Sequence, residues 1–331
     1  MKMRFAIIGC GDIAASSYAP SLVKSDQTEL VAVCRRDLDQ ARAFAQRFGG
    51  CAAYDSADAL LADPRVEAVI VATPTDSHCE LTQQAALSDR HVLCEKPMAR
   101  DAGECRAMIA ACKAAGVKLG VAYRRRLFPQ VEKAKSLIDS GAIGRIVCVR
   151  THYSGWLQIE AGTWRLEAGI GGALMEMAVH RIEVMLNFAG RPLAVSALVE
   201  TVHHDWSVDD SDALLVNFAD GKIGVHTTIL TSPPRRDFVQ IDGTEGRIII
   251  ESLEYSSDSI KFETTAGVEE IAVTPLEGPY LDQPMIEDFV AAIRDKKEPV
   301  CDAETGFWTQ AIVDAARRSA DQKQQIAVEQ W

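Results

Sequence analysis

Through residue 122, short uniformly apolar runs alternate with longer stretches of helical periodicity. The runs lie at 4–8, 30–34, 66–72, 91–94 and 117–122 and are rich in Val, Ile and Leu. Such runs suit strands buried on both faces, as in a parallel sheet, whereas a half-solvated strand would alternate apolar with polar. Between them, 37–48, 76–87 and 101–115 each begin on an aspartate, able to accept the free N–H groups of a first helical turn. Two of these stretches run into glycine, at Gly49 and Gly116, which readily ends a helix. The alternation predicts a doubly wound parallel α/β sheet with ligands at the carboxyl ends of its strands.

The pattern changes near residue 123. A helical stretch at 128–140 precedes extended segments at 143–153, 193–204, 212–218 and 223–230, the last two flanking the hairpin signal Asp220-Gly221. Segments 239–242, 247–252 and 259–264 continue this meander. A helical stretch at 172–188 interrupts it, and two more follow at 285–295 and 304–319. This half reads as an α+β domain with an open, mostly antiparallel sheet. A chain of 331 residues suits two domains, predicted as 1–122 and 123–331, with short linker-like pieces at 232–236 and 274–284.

Composition changes the picture little, but charge excludes some partners. A formal charge of -12 opposes binding to nucleic acid or an anionic membrane surface. Nine cysteines without a CxxC pair read as free thiols in a reducing compartment. With no secretory cleavage pattern and no bilayer-length apolar stretch, the expected location is the cytoplasm.

The candidate chemistry begins at Gly9-Cys10-Gly11-Asp12-Ile13-Ala14, a G-x-G-x-x-A turn between a strand and a helix. Its first glycine permits the tight turn, its second lets backbone approach a pyrophosphate, and Ala14 lets helix and strand pack closely. Phosphate charge would then sit at a helix N-terminus. The second strand ends Cys34-Arg35-Arg36-Asp37, where a carboxylate would ordinarily meet the adenosine ribose. Guanidinium groups can instead pair with a 2′-phosphate, which favours NADP, with NAD as the alternative if Asp37 reaches the ribose. The plainer reading makes Arg35 and Arg36 solvated helix-start residues and Asp37 a cap.

Three further segments stand in a fixed order after this turn. They are Ala72-Thr73-Pro74-Thr75-Asp76-Ser77-His78, Cys94-Glu95-Lys96-Pro97, and Trp164-Arg165 followed by Gly171-Gly172 and Glu176 to His180. With them the whole chain resembles the Gfo/Idh/MocA oxidoreductases, a family that includes glucose–fructose oxidoreductase and inositol dehydrogenases. The resemblance implies a Rossmann domain followed by a domain whose open sheet forms a homodimer or homotetramer interface. It also implies NAD(P)-dependent interconversion of a sugar or polyol with its ketone. Lys96 then corresponds to the catalytic lysine, and Glu176 and His180 to a D-x-x-x-H pair in which glutamate replaces aspartate.

Hydride leaves a carbinol carbon only as its hydroxyl loses a proton, so the protein must supply an acid/base group. Lys96, just past a strand end, is the principal candidate; a surface lysine is the plainer reading. Glu176 and His180, four apart, would share one helix face, with His180 relaying the proton and Glu176 fixing the imidazole. Gly171-Gly172 would let that helix start tightly against a ligand. No third ligand accompanies the pair, so no metal site is expected. Ala72, Thr73, Pro74 and His78 are candidates for the wall around the nicotinamide ribose, and Glu95 for a hydrogen bond to it. Trp164 and Arg165 would border the nicotinamide or substrate, and Tyr123 and Arg126 are candidate substrate residues. Two rivals stand beside the dehydrogenase: an NAD-dependent glycosidase, and a nucleotide-binding protein without catalysis.

Overall fold

The computed structural model describes every residue except Glu254 and Ser256. The chain divides into two compact units. The first comprises 1–99, 103–124 and 277–306. Its elements are β1 (Met3–Ile8), a π-turn Ala14–Tyr18 leading into α1 (Ala19–Lys24), β2 (Thr28–Cys34), α2 (Leu38–Arg47), β3 (Ala52–Tyr54), α3 (Ala57–Leu61), β4 (Ala68–Val71), α4 (His78–Leu87), β5 (His91–Cys94), α5 (Ala102–Ala115) and β6 (Leu119–Val121). The six strands are all parallel, in the order β3-β2-β1-β4-β5-β6. Every residue of β4 and the last four of β1 are buried, as their unbroken apolar runs require. Strand order reverses between β1 and β4, and loops diverging there open a crevice at their carboxyl ends.

β3 and α3, of three and five residues, are too short to show periodicity in the sequence. The return of 277–306 was also unforeseen, so a single division at 122 does not describe this unit. The helix Gln283–Asp295 places Phe289 against Phe5, with ring centroids 6.4 Å apart. Residues 301–302 cover the edge strand β6: the Val121 N–H donates to the Cys301 carbonyl at 2.9 Å, and Gly120 bridges to Asp302. An edge that would otherwise present unpaired backbone is thereby closed.

The second unit holds 100–102, 125–276 and 307–331. It contains α6 (Pro129–Asp139), β7 (Ile146–Trp156), a π-turn Leu174–Ala178 running into α7 (Val179–Ala189), β8 (Pro192–Glu200), β9 (Ser211–Phe218), β10 (Ile223–Ile229), β11 (Thr231–Gly243), β12 (Gly246–Ile250), β13 (Ser259–Thr264), β14 (Gly267–Ala272), the helix Ala303–Gln322 and β15 (Ile326–Ala327). The nine strands run β14-β13-β12-β11-β7-β10-β9-β8-β15, antiparallel except for β7 beside β10. The hairpin at Asp220-Gly221 has φ of 61° and 73°, the left-handed pair that matches strand twist. Residues 232–236, read as a linker, lie within β11, whose pairing with β7 is irregular between Thr231 and Arg236. One face of the sheet buries Val195, Leu214, Val216, Val239 and Ile241. Leu198, Leu215 and Ile223 stand exposed on the other. Among the described residues, no helix is long and apolar enough to cross a membrane. None of the nine cysteines forms a disulfide.

Candidate active site

In the first unit the predicted nucleotide residues converge on the ends of β2, β1, β4 and β5. Gly9 has φ of 102°, and a Cβ there would lie 2.4 Å from the Ala72 carbonyl oxygen. Only glycine fits that turn. Its N–H donates to the Cys34 carbonyl at 3.0 Å, and the Ala72 N–H donates to Ile8 at 2.8 Å. A Cβ on Gly11 would meet no atom within 4 Å, so backbone is exposed on the outer side of the turn. The following helical turn begins at Asp12, and the first N–H groups of a helix have no intrahelical acceptor. Exposed glycine backbone and these donors fit a pyrophosphate.

Cys10 and Cys34 turn inward, the Cys10 Sγ donating to the Cys34 carbonyl at 3.4 Å. Burial pushes their thiols up, to about 12 and about 11, so both stay protonated. Arg35 and Arg36 are exposed, and Arg35 Nη1 donates to the Cys10 carbonyl at 2.9 Å, which lays the guanidinium along the turn. Asp37 caps α2: it accepts the Gln40 N–H at 3.1 Å and the Gln40 side-chain amide at 2.7 Å. These bonds hold its carboxyl below the usual range. The acid next to the ribose position is therefore occupied in a cap.

At the tip of β5, Glu95 is held from both sides. Tyr18, on the π-turn after the glycine motif, donates to Glu95 Oε1 at 2.6 Å, and the Lys96 backbone N–H donates to Oε2 at 2.6 Å. Lys96 is half-buried. Thr73 and Pro74 are half-buried at the end of β4. His78 differs from expectation: it is 1% exposed, with Nδ1 2.9 Å from the Pro97 carbonyl oxygen and Nε2 2.9 Å from that of Thr73. It lies inside the scaffold of the loops and not on their surface. Tyr123, a candidate substrate residue, is also 1% exposed and belongs to the core of this unit.

A second cluster forms in the other unit. Arg165, in the short helical turn Trp164–Leu166, points its Nε at Glu176 Oε2, 3.5 Å away, and its guanidinium lies over the Trp164 ring. Glu176 occupies the π-turn and His180 the start of α7, both 8% exposed. The expected regular α-helix linking them is thus widened by one residue, a feature that often marks functional helices. The paired glycines pack closely on protein: a Cβ on Gly171 would lie 1.9 Å from the Arg165 carbonyl oxygen, and one on Gly172 2.2 Å from Asp209 Oδ1. Asp209 caps this helix start, accepting the Leu174 N–H at 2.7 Å.

α7 is tied down by two ion pairs, one buried and one half-buried. Arg181, fully buried, donates to Asp237 Oδ1 and to the Met177 carbonyl. Arg126 donates from Nε to Glu183 Oε1 at 2.5 Å. The guanidinium of Arg126, a candidate substrate contact, is engaged in fixing α7. Sequence reasoning missed Tyr18, Asp209 and Asp237, because each acts on a partner distant in the chain.

A glycine-turn Rossmann sheet with a lysine at a strand tip defines a class: a nicotinamide-nucleotide oxidoreductase. Residues 3–123 match the model of the oxidoreductase family with an NAD-binding Rossmann fold, and residues 131–249 match the GFO/IDH/MocA C-terminal domain. The chain belongs to the Gfo/Idh/MocA oxidoreductase family. Its relatives include D-xylose 1-dehydrogenase (NADP(+)) 2 of Haloferax volcanii, 29% identical over 96% of this chain and 98% of that protein. Inositol 2-dehydrogenase of Rhizobium meliloti is 26% identical over 99% of this chain and 100% of its own. Levoglucosan dehydrogenase in complex with NADH and L-sorbose superposes with a TM-score of 0.91 at 26% identity, covering 100% of both chains.

Proposed function

We propose that this oxidoreductase interconverts a sugar or polyol carbinol and its ketone with NADP(H), and that Lys96 exchanges the hydroxyl proton. The carrying observation is the placement of Lys96 at the carboxyl end of β5, beside β4, on a loop that Glu95 and Tyr18 hold. The nicotinamide, when bound, supplies the hydride donor or acceptor. Backbone of Gly9 to Ile13 holds the pyrophosphate, Thr73 and Pro74 border the nicotinamide ribose, and Glu95 bonds to it. His180 serves as a second proton-handling group, with Glu176 and Arg165 setting its surroundings. The dehydrogenases of xylose, inositol and levoglucosan among the relatives support the substrate class.

NADP is preferred to NAD because Arg35 and Arg36 are exposed beside the turn while Asp37 is committed to its cap. A screen of sugars and inositols with both coenzymes, read at the nicotinamide absorbance, tests the activity. No turnover with any of them removes the proposal. For the coenzyme, Arg35→Asp should weaken NADPH binding by about 2 kcal/mol or more, the scale of a charge-assisted pair, and leave NADH binding nearly unchanged. Equal losses in fluorescence titrations would end the preference.

A cytoplasmic homo-oligomer completes the reading; nine free thiols fit a reducing compartment. Exposed Leu198, Leu215 and Ile223 on one sheet face support a second copy packing there. Leu215→Glu should shift the parent dimer or tetramer toward monomer in sedimentation equilibrium; a monomeric parent would exclude the interface.

A further inference from the structure

The buried histidine of the first unit has no contact with solvent to explain it. Its ring spans two loops: the one leaving β4, through Thr73, and the one leaving β5, through Pro97. A neutral imidazole carries one N–H, so it satisfies one of these carbonyls as a donor at a time. Burial pushes the ring toward that neutral form, against the opposing pull of the surrounding carbonyls.

The two loops differ in what else holds them. The β4 loop has its own tie, because Ser77 Oγ lies 2.7 Å from Thr73 Oγ1 and 2.8 Å from the Pro74 carbonyl oxygen. On the β5 loop, Pro97 has no N–H, so its carbonyl is the one backbone handle that residue offers, and one position further the Met98 carbonyl accepts the Cys94 Sγ–H at 3.7 Å. Lys96 is therefore gripped on its N-terminal side by Glu95, itself held by Tyr18, and on its C-terminal side by His78.

We propose that His78 is a positioning residue for Lys96: its Nδ1–H donates to the Pro97 carbonyl and sets the direction in which the lysine leaves the loop. It touches neither nucleotide nor substrate. The proposal rests on Lys96 being the proton-exchanging group, and its test separates the two. A misplacement of about 1 Å by a remote group can cost about 100-fold in rate.

Three variants are compared by kcat, by KM for the sugar or polyol found in the screen, and by NADPH affinity from fluorescence titration. His78→Ala should lower kcat about 10- to 100-fold, with KM and NADPH affinity near parental values. His78→Asn puts an amide nitrogen where Nδ1 stands and should recover most of kcat. His78→Gln reaches instead toward the Nε2 position and should stay as impaired as alanine. Parental kcat in His78→Ala, a loss of NADPH affinity in step with kcat, or equal impairment of Asn and Gln variants would each overturn the role. If His78→Ala does not fold, the Asn and Gln variants decide alone. An active Lys96→Ala enzyme would instead remove the lysine assignment, whatever the histidine variants show.

Discussion

Lys96→Ala should lower kcat about 10²- to 10⁴-fold, the range that a positioned acid/base group contributes. Binding of NADPH should stay near its parental strength, for a structural reason. The bond that orders this loop uses the Lys96 backbone N–H, donated to Glu95 Oε2, and alanine keeps that N–H. Glu95 also keeps its bond from Tyr18. The variant therefore removes the amine and leaves its support in place. Lys96→Arg makes the sharper control: guanidinium retains the positive charge but does not give up its proton, so turnover should remain low. Stopped-flow measurement of nicotinamide absorbance with saturating substrate checks both. Turnover by Lys96→Ala at the parental rate would show that the proton leaves by another group, and would shift attention to His180.

The second large effect concerns stability. Asp237→Ala should destabilise the second unit by about 3–5 kcal/mol, the cost of leaving a buried charge without its counter-charge. The guanidinium of Arg181 is wholly buried; its Nη2 lies 3.0 Å from Asp237 Oδ1, and it stacks 4.4 Å from the centroid of the Tyr153 ring. Asp237 does a second task, since its Oδ2 accepts the Leu253 N–H at 2.9 Å. Removing the carboxylate thus takes an acceptor from a buried cation and from a backbone donor at once. At about 2–4 °C per kcal/mol for a unit of this size, the melting transition should fall by roughly 6–20 °C. Arg181→Met in the same chain should restore most of the loss, because the uncompensated charge leaves with it. Scanning calorimetry of the single and double variants distinguishes the outcomes. A single variant melting within a degree of the parent would mean that water reaches the guanidinium.

Both experiments bear on how much the chain discloses before it folds. The parallel sheet was legible because β1, β2, β4 and β5 are buried on both faces and so carry no polar positions within most of their length. Gly9 was legible for a different reason: its backbone conformation admits no side chain, so residue type and geometry coincide. Asp37 could be read two ways, as a ribose ligand or a cap, and the bonds to Gln40 favour the cap. By contrast, β14 escaped notice because Val268, Glu269 and Glu270 are all exposed, as suits an edge strand whose hydrophobic pattern has faded.

The partners of the site residues were a matter for tertiary structure. His78 reads as a wall residue for the nicotinamide ribose until the loop carrying Pro97 is brought 2.9 Å from its ring. Arg126 reads as a substrate-facing charge until Glu183 arrives from 57 positions away, and nothing near Arg181 in the chain announces Asp237, 56 positions on. Local chain chemistry thus determined the dinucleotide turn, the strand pattern and the strand-tip lysine, since propensity and burial periodicity act over a few residues. Only the folded packing decided which charges are buried and what holds the Lys96 loop, because burial and pairing depend on segments that meet far apart in the chain.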